Sequence, residues 1–234
     1  MATHDLSAFS LADLYLQDSD DPLVPSPDFA TWRRQVSWAT SLYEQSLLDG
    51  PGARAVLSVD GRAHPVLNFA SYNYLALSKH PETVAAAKGA LDTYGVGACG
   101  SPILSGMTDL HRRFEARLSA FLGRADTMLF NSGFGGALGM LAGTLRRGDV
   151  AVLDNKCHVS LIEGAKLSAA RVELFDHNDP DSLDGCLARH PGKRRVVVTE
   201  GIFSMDGDMG DLPALVPARR GTASASSSTR PIRF

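Results

Sequence analysis

The sequence predicts an α/β fold: a mainly parallel sheet with helices on both faces. Three observations carry that expectation. From Pro81 onward, short apolar runs alternate with helix-length stretches. The apolar runs are continuously hydrophobic, as strands buried on both faces are. A glycine-rich turn at 131–136 joins one such run to the stretch that follows, as a tight strand-to-helix connection would.

Residues 1–30 are acidic and proline-rich and read as a loosely ordered arm. Trp32, Val36, Trp38, Leu42, Tyr43 and Leu47 recur at helical spacing, which predicts a helix over 31–48. Gly50-Pro51-Gly52 ends it. Two strands are expected at 55–59 and 66–69, with Asp60-Gly61 as a hairpin signal between them. Residues 81–94 are alanine-rich and helical, and 108–122 form an amphipathic helix opened by Thr108-Asp109. Then come a buried strand at 127–131, a helix at 137–145, a strand at 149–154 and a helix at 161–167. A strand at 171–175, a helix at 181–189 and a valine-rich strand at 195–200 follow. The run from Arg219 to Thr229 is low-complexity, without periodicity, and begins where the alternation calls for another helix and strand.

Composition narrows the function classes. The 234 residues are 44% hydrophobic and 21% charged, with 23 basic and 26 acidic side chains and a net charge of -3. No broad basic field exists, so nucleic acid is not an expected partner. The N-terminus has no signal-peptide pattern, and no apolar run approaches the ~20 residues that span a bilayer. Cys99, Cys157 and Cys186 form no CxxC pair and suit free thiols in a cytoplasmic protein with no membrane partner. No serine stands in GxSxG, which argues against a hydrolase elbow. The seven histidines lack HExxH or Cys/His spacing, so no metal site is expected.

Three segments could carry chemistry. In Asn131-Ser132-Gly133-Phe134-Gly135-Gly136, glycines before a helix let backbone N–H groups approach an anion such as phosphate. The same residues also read as a plain turn. A dinucleotide site is a third reading: Gly133, Gly135 and Gly139 follow a strand, and Asp154 stands where a ribose-binding acid could. The literal GxGxxG at Gly95, Gly97 and Gly100 follows a helix and carries little weight. His158 lies just past a strand's C-terminal end, where open α/β sheets bind ligands. It either stacks on a planar cofactor or caps the next helix. Glu200 and Ser204 follow the last strand and could face the same crevice. Asp206 and Asp208 read as a turn rather than a metal pair, and His177-Asn178-Asp179 as a cap for the helix at 181.

Together these segments resemble the α-oxoamine synthase family of fold-type I pyridoxal-phosphate (PLP) enzymes. The resemblance runs through Asn68-Phe69-Ala70-Ser71-Tyr72-Asn73-Tyr74-Leu75, then Gly95-Val96-Gly97-Ala98-Cys99-Gly100-Ser101, Ser105-Gly106, Leu110-His111 and Phe114-Glu115. It continues through Ser132-Gly133-Phe134, His158-Val159-Ser160-Leu161, residues 175–179 and residues 199–208. It implies a fold-type I large domain over 55–218, preceded by an arm and helix over 1–54. It implies that Gly133 and Phe134 hold the cofactor phosphate and that His158 stacks on the pyridine ring as the catalytic residue. It also implies that Ser204 and Glu200 lie beside the cofactor, and that Asn73 lies near the substrate across a homodimer interface. The implied reaction joins an amino acid to an acyl-CoA or carrier-bound acyl thioester, giving an α-aminoketone.

The sequence departs from the family at Ala137, where members often have Asn, and at Ala76, where they have Gly. No arginine near 40–54 matches the one that some members use for a substrate carboxylate. Members also carry an Asp-x-Ala-His strand end and then the Schiff-base lysine. The lysines here are Lys79, Lys88, Lys156, Lys166 and Lys193, and none stands in that motif. The expectation is an incomplete large domain that is inactive by itself. Residues 219–234 carry the Arg/Ala/Ser/Gly/Thr bias of G+C-rich DNA read out of frame. With one choice of synonymous codons, the alternate frame of 220–234 gives an apolar strand ending in Asp-Glu-Ala-His. Two other readings stay open: a nucleotide-binding oxidoreductase, and a non-catalytic subunit pairing with a full-length paralogue.

Overall fold

The structure, a computed structural model, describes Val24, residues 45–59 and residues 61–215. The arm expected over 1–30, most of the helix expected over 31–48 and the tail from 219 lie outside the described residues. The chain divides into two compact units, Met1–Gly106 and Met107–Phe234.

In the first unit, β1 (Ser46–Leu47), β2 (Arg54–Val59) and β3 (Arg62–Leu67) form an antiparallel meander in that order. Val59 pairs with Arg62, which leaves a two-residue loop. Gly61 closes that loop with φ +72°, a conformation such hairpin turns require and glycine adopts without strain. Residues 46–47 are therefore strand, not the end of a helix. They pair with Ser58 and Leu57, because β2 offers unpaired backbone groups that a weak helical preference does not outweigh. After a 3-10 turn at Leu77–Lys79 comes α1 (Pro81–Tyr94), begun by a proline in its first turn and ended at Gly95 with φ +76°. Gly95 thus serves as a helix terminator.

The second unit opens with α2 (Asp109–Leu122). Its first turn is held by reciprocal bonds between Thr108 and His111, and Gly123 ends it in the left-handed conformation. The buried strand expected over 127–131 is not formed. Those residues are exposed or half-buried and outside any ladder. A strand exists only through its neighbours, and no described segment pairs with this one. Next come α3 (Gly133–Thr144), which starts four residues before the expected 137, β4 (Val150–Asp154), α4 (Val159–Leu167) and β5 (Arg171–Phe175). The unit closes with α5 (Pro180–Ala188) and β6 (Arg195–Val198).

The sheet order is β5-β4-β6, and both pairings are parallel. All five residues of β4 are buried, and alternation divides them between two cores. Ala151 and Leu153 pack with Leu141, Leu145, Leu161 and Ala165 of the α3 and α4 side. Val150 and Val152 pack with Leu183, Cys186 and Leu187 of α5. Each fully buried leucine contributes about 1.5–3 kcal/mol relative to exposure. Helices α3 and α4 meet at Gly164, where a Cβ would stand 2.9 Å from both Cα and the carbonyl oxygen of Leu138. That close approach lets the two helices pack directly against each other. Among the described residues no helix is long and apolar enough to cross a membrane.

Candidate functional site

Parallel strands bring their C-terminal ends to one edge of a sheet, and the loops after β4, β5 and β6 gather there. Leu153 pairs with Val198, and Asp154 with Phe175. Residues 155–158, 176–179 and 199–210 therefore leave the sheet side by side.

The first component is the start of α3. Ser132 is extended at the N-cap, with φ -157° and ψ 157°, and its hydroxyl accepts the Gly135 N–H at 2.9 Å. The Gly136 N–H donates to the Ser132 carbonyl at 2.9 Å. The N–H groups of Gly133 and Phe134 have no acceptor among the described residues, as expected at N1 and N2 of a helix. A Cβ on Gly133 would meet nothing within 4 Å, so this end of the helix is open. Two free N–H groups at the positive end of a helix, with room in front of them, fit a phosphate group.

The second component is His158 at the N-cap of α4. Its Nδ1 accepts from the Ser160 N–H at 3.2 Å and lies 2.7 Å from the Ser160 hydroxyl. The capping role is therefore real. It assigns the proton of the neutral ring to Nε2, the nitrogen left facing outward. The ring stands edge-on to Phe134, with centroids 6.2 Å apart. The His158 N–H donates to Glu200 Oε2 at 2.8 Å, so the acid that follows β6 holds the histidine's backbone in place. Ser204 is exposed in the turn beyond and makes no hydrogen bond among the described residues.

Behind these residues lies a polar network that sequence reasoning missed. Asp154 is fully buried. Its oxygens accept from the Lys156 N–H at 2.9 Å, the Asn178 N–H at 3.2 Å, and His177 Nδ1 at 2.9 and 3.0 Å. His177 Nε2 lies 2.6 Å from Asp208 Oδ2. The two aspartates, Asp208 foremost, raise the His177 pKa, and His177 in turn lowers that of Asp208. Asp179 does cap α5, accepting from the Asp181 and Ser182 N–H groups at 2.9 and 3.1 Å. His177 does not share that role. Its partners lie 23 and 31 positions away, beyond the reach of local pattern. Asp206 pairs with Lys156 at 2.5 Å, so the acids of 206–208 are held as a turn. Among the described residues no cluster of three acids, histidines or cysteines is placed to hold a metal. Cys157 is buried, which pushes its thiol up to about 12 and leaves it inert.

Gly133, Phe134, His158, Glu200 and Ser204 all belong to the second unit. Asn73 belongs to the first. Its amide donates to the Pro51 carbonyl at 2.9 Å and the Ser78 hydroxyl at 2.7 Å, and accepts from the Ser78 N–H at 3.2 Å. It thereby folds residues 71–78 against the start of the meander.

The family model described as aminotransferase class I and II matches residues 64–219, and the match ends where the low-complexity run begins. The chain is 41% identical over 170 residues to 8-amino-7-oxononanoate synthase of Geobacter sulfurreducens, covering 72% of this chain and 42% of that protein. It is 40% identical over 159 residues to serine palmitoyltransferase of Sphingobacterium spiritivorum, covering 68% and 39%. A serine palmitoyltransferase from S. paucimobilis, solved with a bound PLP–myriocin adduct, superposes with a TM-score of 0.75 at 25% identity. That match covers 88% of this chain and 52% of the solved one. The chain spans less than half the length of the two curated relatives.

Proposed function

Since the chain belongs to the class I and II aminotransferase family, we propose that it is the cofactor-phosphate half of an acyl-transferring PLP enzyme of the α-oxoamine synthase type. The complete protein condenses an amino acid with an acyl-CoA or acyl-carrier thioester to an α-aminoketone. The observation that carries this reading is the open start of α3, with the Gly133 and Phe134 N–H groups unpaired and the anchored ring of His158 beside them. When bound, PLP supplies an electron sink for a carbanion on the amino acid. Gly133 and Phe134 bind its phosphate. His158 presents its ring face and a free Nε2–H to the cofactor and substrate. Glu200 keeps that ring oriented through the His158 backbone, and Ser204 offers a hydroxyl to a polar edge of the cofactor.

The nucleotide reading is weaker because Asp154 is buried and its carboxylate is committed to His177, Lys156 and Asn178. It has no surface from which to reach a ribose.

We also propose that residues 1–234 bind PLP without a covalent lysine bond. None of the five lysines stands in the family's lysine motif, and Lys156, which follows the end of β4, is paired with Asp206. The complete protein is a cytoplasmic homodimer, with Asn73 contributed near the substrate. The exposure of Phe69, Tyr72 and Tyr74 in the first unit, each 85% or more, supports a covered interface there. Sequencing the locus past the codon for Pro217 tests the shifted-frame reading of 220–234. An alternate frame without a valine-rich strand and Asp-Glu-Ala-His removes that reading.

Titration of the chain with PLP and, separately, with a reduced nicotinamide dinucleotide tests the function. Saturable PLP binding with no dinucleotide binding is the expected result. The reverse pattern contradicts it.

A further inference from the structure

Glu200 and Ser204 are carried by a segment with little backbone support. Residues 201–210 form a hairpin with one isolated bridge, Ile202 to Met209. Two bonds make that bridge, Phe203 N–H to the Asp208 carbonyl at 2.9 Å and Gly210 N–H to the Gly201 carbonyl at 3.2 Å, and one turn bond adds to it, Gly207 N–H to the Phe203 carbonyl at 2.8 Å. So short a pairing is marginal by itself in water. Side chains tie it to the sheet at three points. Lys156 meets Asp206 at 2.5 Å, but the two side chains are 44% and 50% exposed and solvent screens the pair. Asn178 donates to the Met209 carbonyl at 3.0 Å and accepts from the Asp211 N–H at 2.7 Å, a tie without charge.

The third tie is His177, whose side chain is only 14% exposed. One ring nitrogen faces both oxygens of Asp154, and the other lies 2.6 Å from Asp208. A carboxylate has no proton to give, so each ring nitrogen must donate, and only the imidazolium has two N–H groups. Asn178 Nδ2 lies 3.1 Å from Nε2 and has a second N–H beside the one given to the Met209 carbonyl, but an unprotonated Nε2 would set its lone pair against the Asp208 carboxylate at 2.6 Å, so Nε2 keeps its proton. The Phe203 ring packs edge-on against the imidazole, with centroids 4.4 Å apart.

We propose that His177 is a positioning residue of the candidate cofactor site. Doubly protonated, it clamps Asp208 of the hairpin to Asp154 at the end of β4, and so sets where Glu200 and Ser204 stand. The consequence for the cofactor rests on the function proposed above; the clamp itself does not.

The charged groups facing the ring are Asp154 from β4 and Asp208 from the hairpin. Lys156, paired with Asp206, is the cation whose field reaches the same aspartates. The two carboxylates prevail, and His177 is held above the ordinary histidine value by Asp208 and then Asp154. A raised folded-state value places the clamp's contribution below the ordinary histidine pKa, about 6.5. The contribution is lost as pH rises through His177's own value.

Hydrogen exchange of the full chain, read alongside the His177 ring titration by NMR, tests the clamp. The Phe203, Gly207 and Gly210 amides should lose protection by about tenfold, the worth of one charge-assisted bond, as pH rises through the His177 pKa. The β4 amides should not change. Asp208→Asn should lower the His177 pKa and flatten the pH dependence of the three hairpin amides. His177→Phe keeps an aromatic ring against Phe203 but has no N–H, and should hold the hairpin amides at the wild type's high-pH protection at every pH. The proposal is overturned if His177 titrates at or below the ordinary value. It is also overturned if wild-type protection is flat through that pH, or if Asp208→Asn keeps the wild-type profile. A wild-type chain that shows the clamp but does not bind PLP refutes the proposed function and leaves the clamp standing.

Discussion

Replacing Gly133 by proline deletes one phosphate donor while leaving the helix intact. Proline has no N–H, and the Gly133 N–H is one of the two that point at the proposed anion. The position tolerates the change for three reasons. It is N1 of α3, where proline's fixed φ is favoured. Ser132 before it is extended, at φ -157° and ψ 157°, as a residue preceding proline must be. The added ring atoms start from a Cβ position with nothing within 4 Å. A hydrogen bond to a charged group is worth about 1.5–3 kcal/mol, which weakens PLP binding by about 10- to 150-fold. Folding stability should hold or rise by about 0.4–1 kcal/mol, because proline restricts the unfolded chain. The assay is a binding titration of Gly133→Pro and wild type with PLP and with pyridoxal, which has no phosphate. The variant should lose affinity for PLP and keep whatever affinity the wild type has for pyridoxal. Equal loss for both ligands, or unchanged PLP affinity in a folded variant, refutes the assignment of the phosphate to this helix end.

Further outcomes follow from the same structure. Gly164→Ala should destabilise the chain by about 1–3 kcal/mol through overpacking against Leu138. Gly185→Ala, with nothing within 4 Å of its Cβ, should stabilise it by up to about 1 kcal/mol in the same urea titration. Unchanged or raised stability in Gly164→Ala contradicts the α3–α4 contact. Asp149 is held below its ordinary pKa, chiefly by Arg194. Its contribution is present above the unfolded carboxylate value and is lost as pH falls through the folded one. Acid unfolding of Asp149→Asn should therefore show a shallower pH dependence than wild type, and an unchanged profile counts against the Asp149–Arg194 pair. Borohydride reduction with PLP followed by peptide mapping should label no lysine stoichiometrically. Lys156 is kept protonated by Asp206, and finding it as the one labelled residue would show that the site carries its own covalent anchor.

Elements whose cause is local were legible in the sequence. Pro81 and Gly95 punctuate α1, Thr108 opens α2, and the apolar run of β4 marks a strand buried on both sides. What failed depended on distant partners. Residues 127–131 have the composition of a strand, but strand character is conferred by a neighbour. Residues 46–47 follow a helical period until a hairpin edge captures them. The site divides the same way. The proposed site residues Gly133, Phe134, His158, Glu200 and Ser204 each follow a strand or open a helix, positions that local pattern marks. The His177 clamp was not legible, since its two acids come from β4 and from the hairpin after β6. Paired histidine and aspartate types left no spacing signal to find.

The central claim is that the start of α3 and the His158 ring form one cofactor site. Backbone amide and histidine ring NMR signals, followed as PLP is added, test it most directly. The account predicts saturable shifts at the Gly133 and Phe134 amides and at the His158 ring with one shared dissociation constant. Shifts at Gly135 should be smaller, because its N–H is already taken by Ser132. Shifts that centre elsewhere in the chain, or that leave Gly133 and Phe134 unmoved while PLP saturates, contradict it.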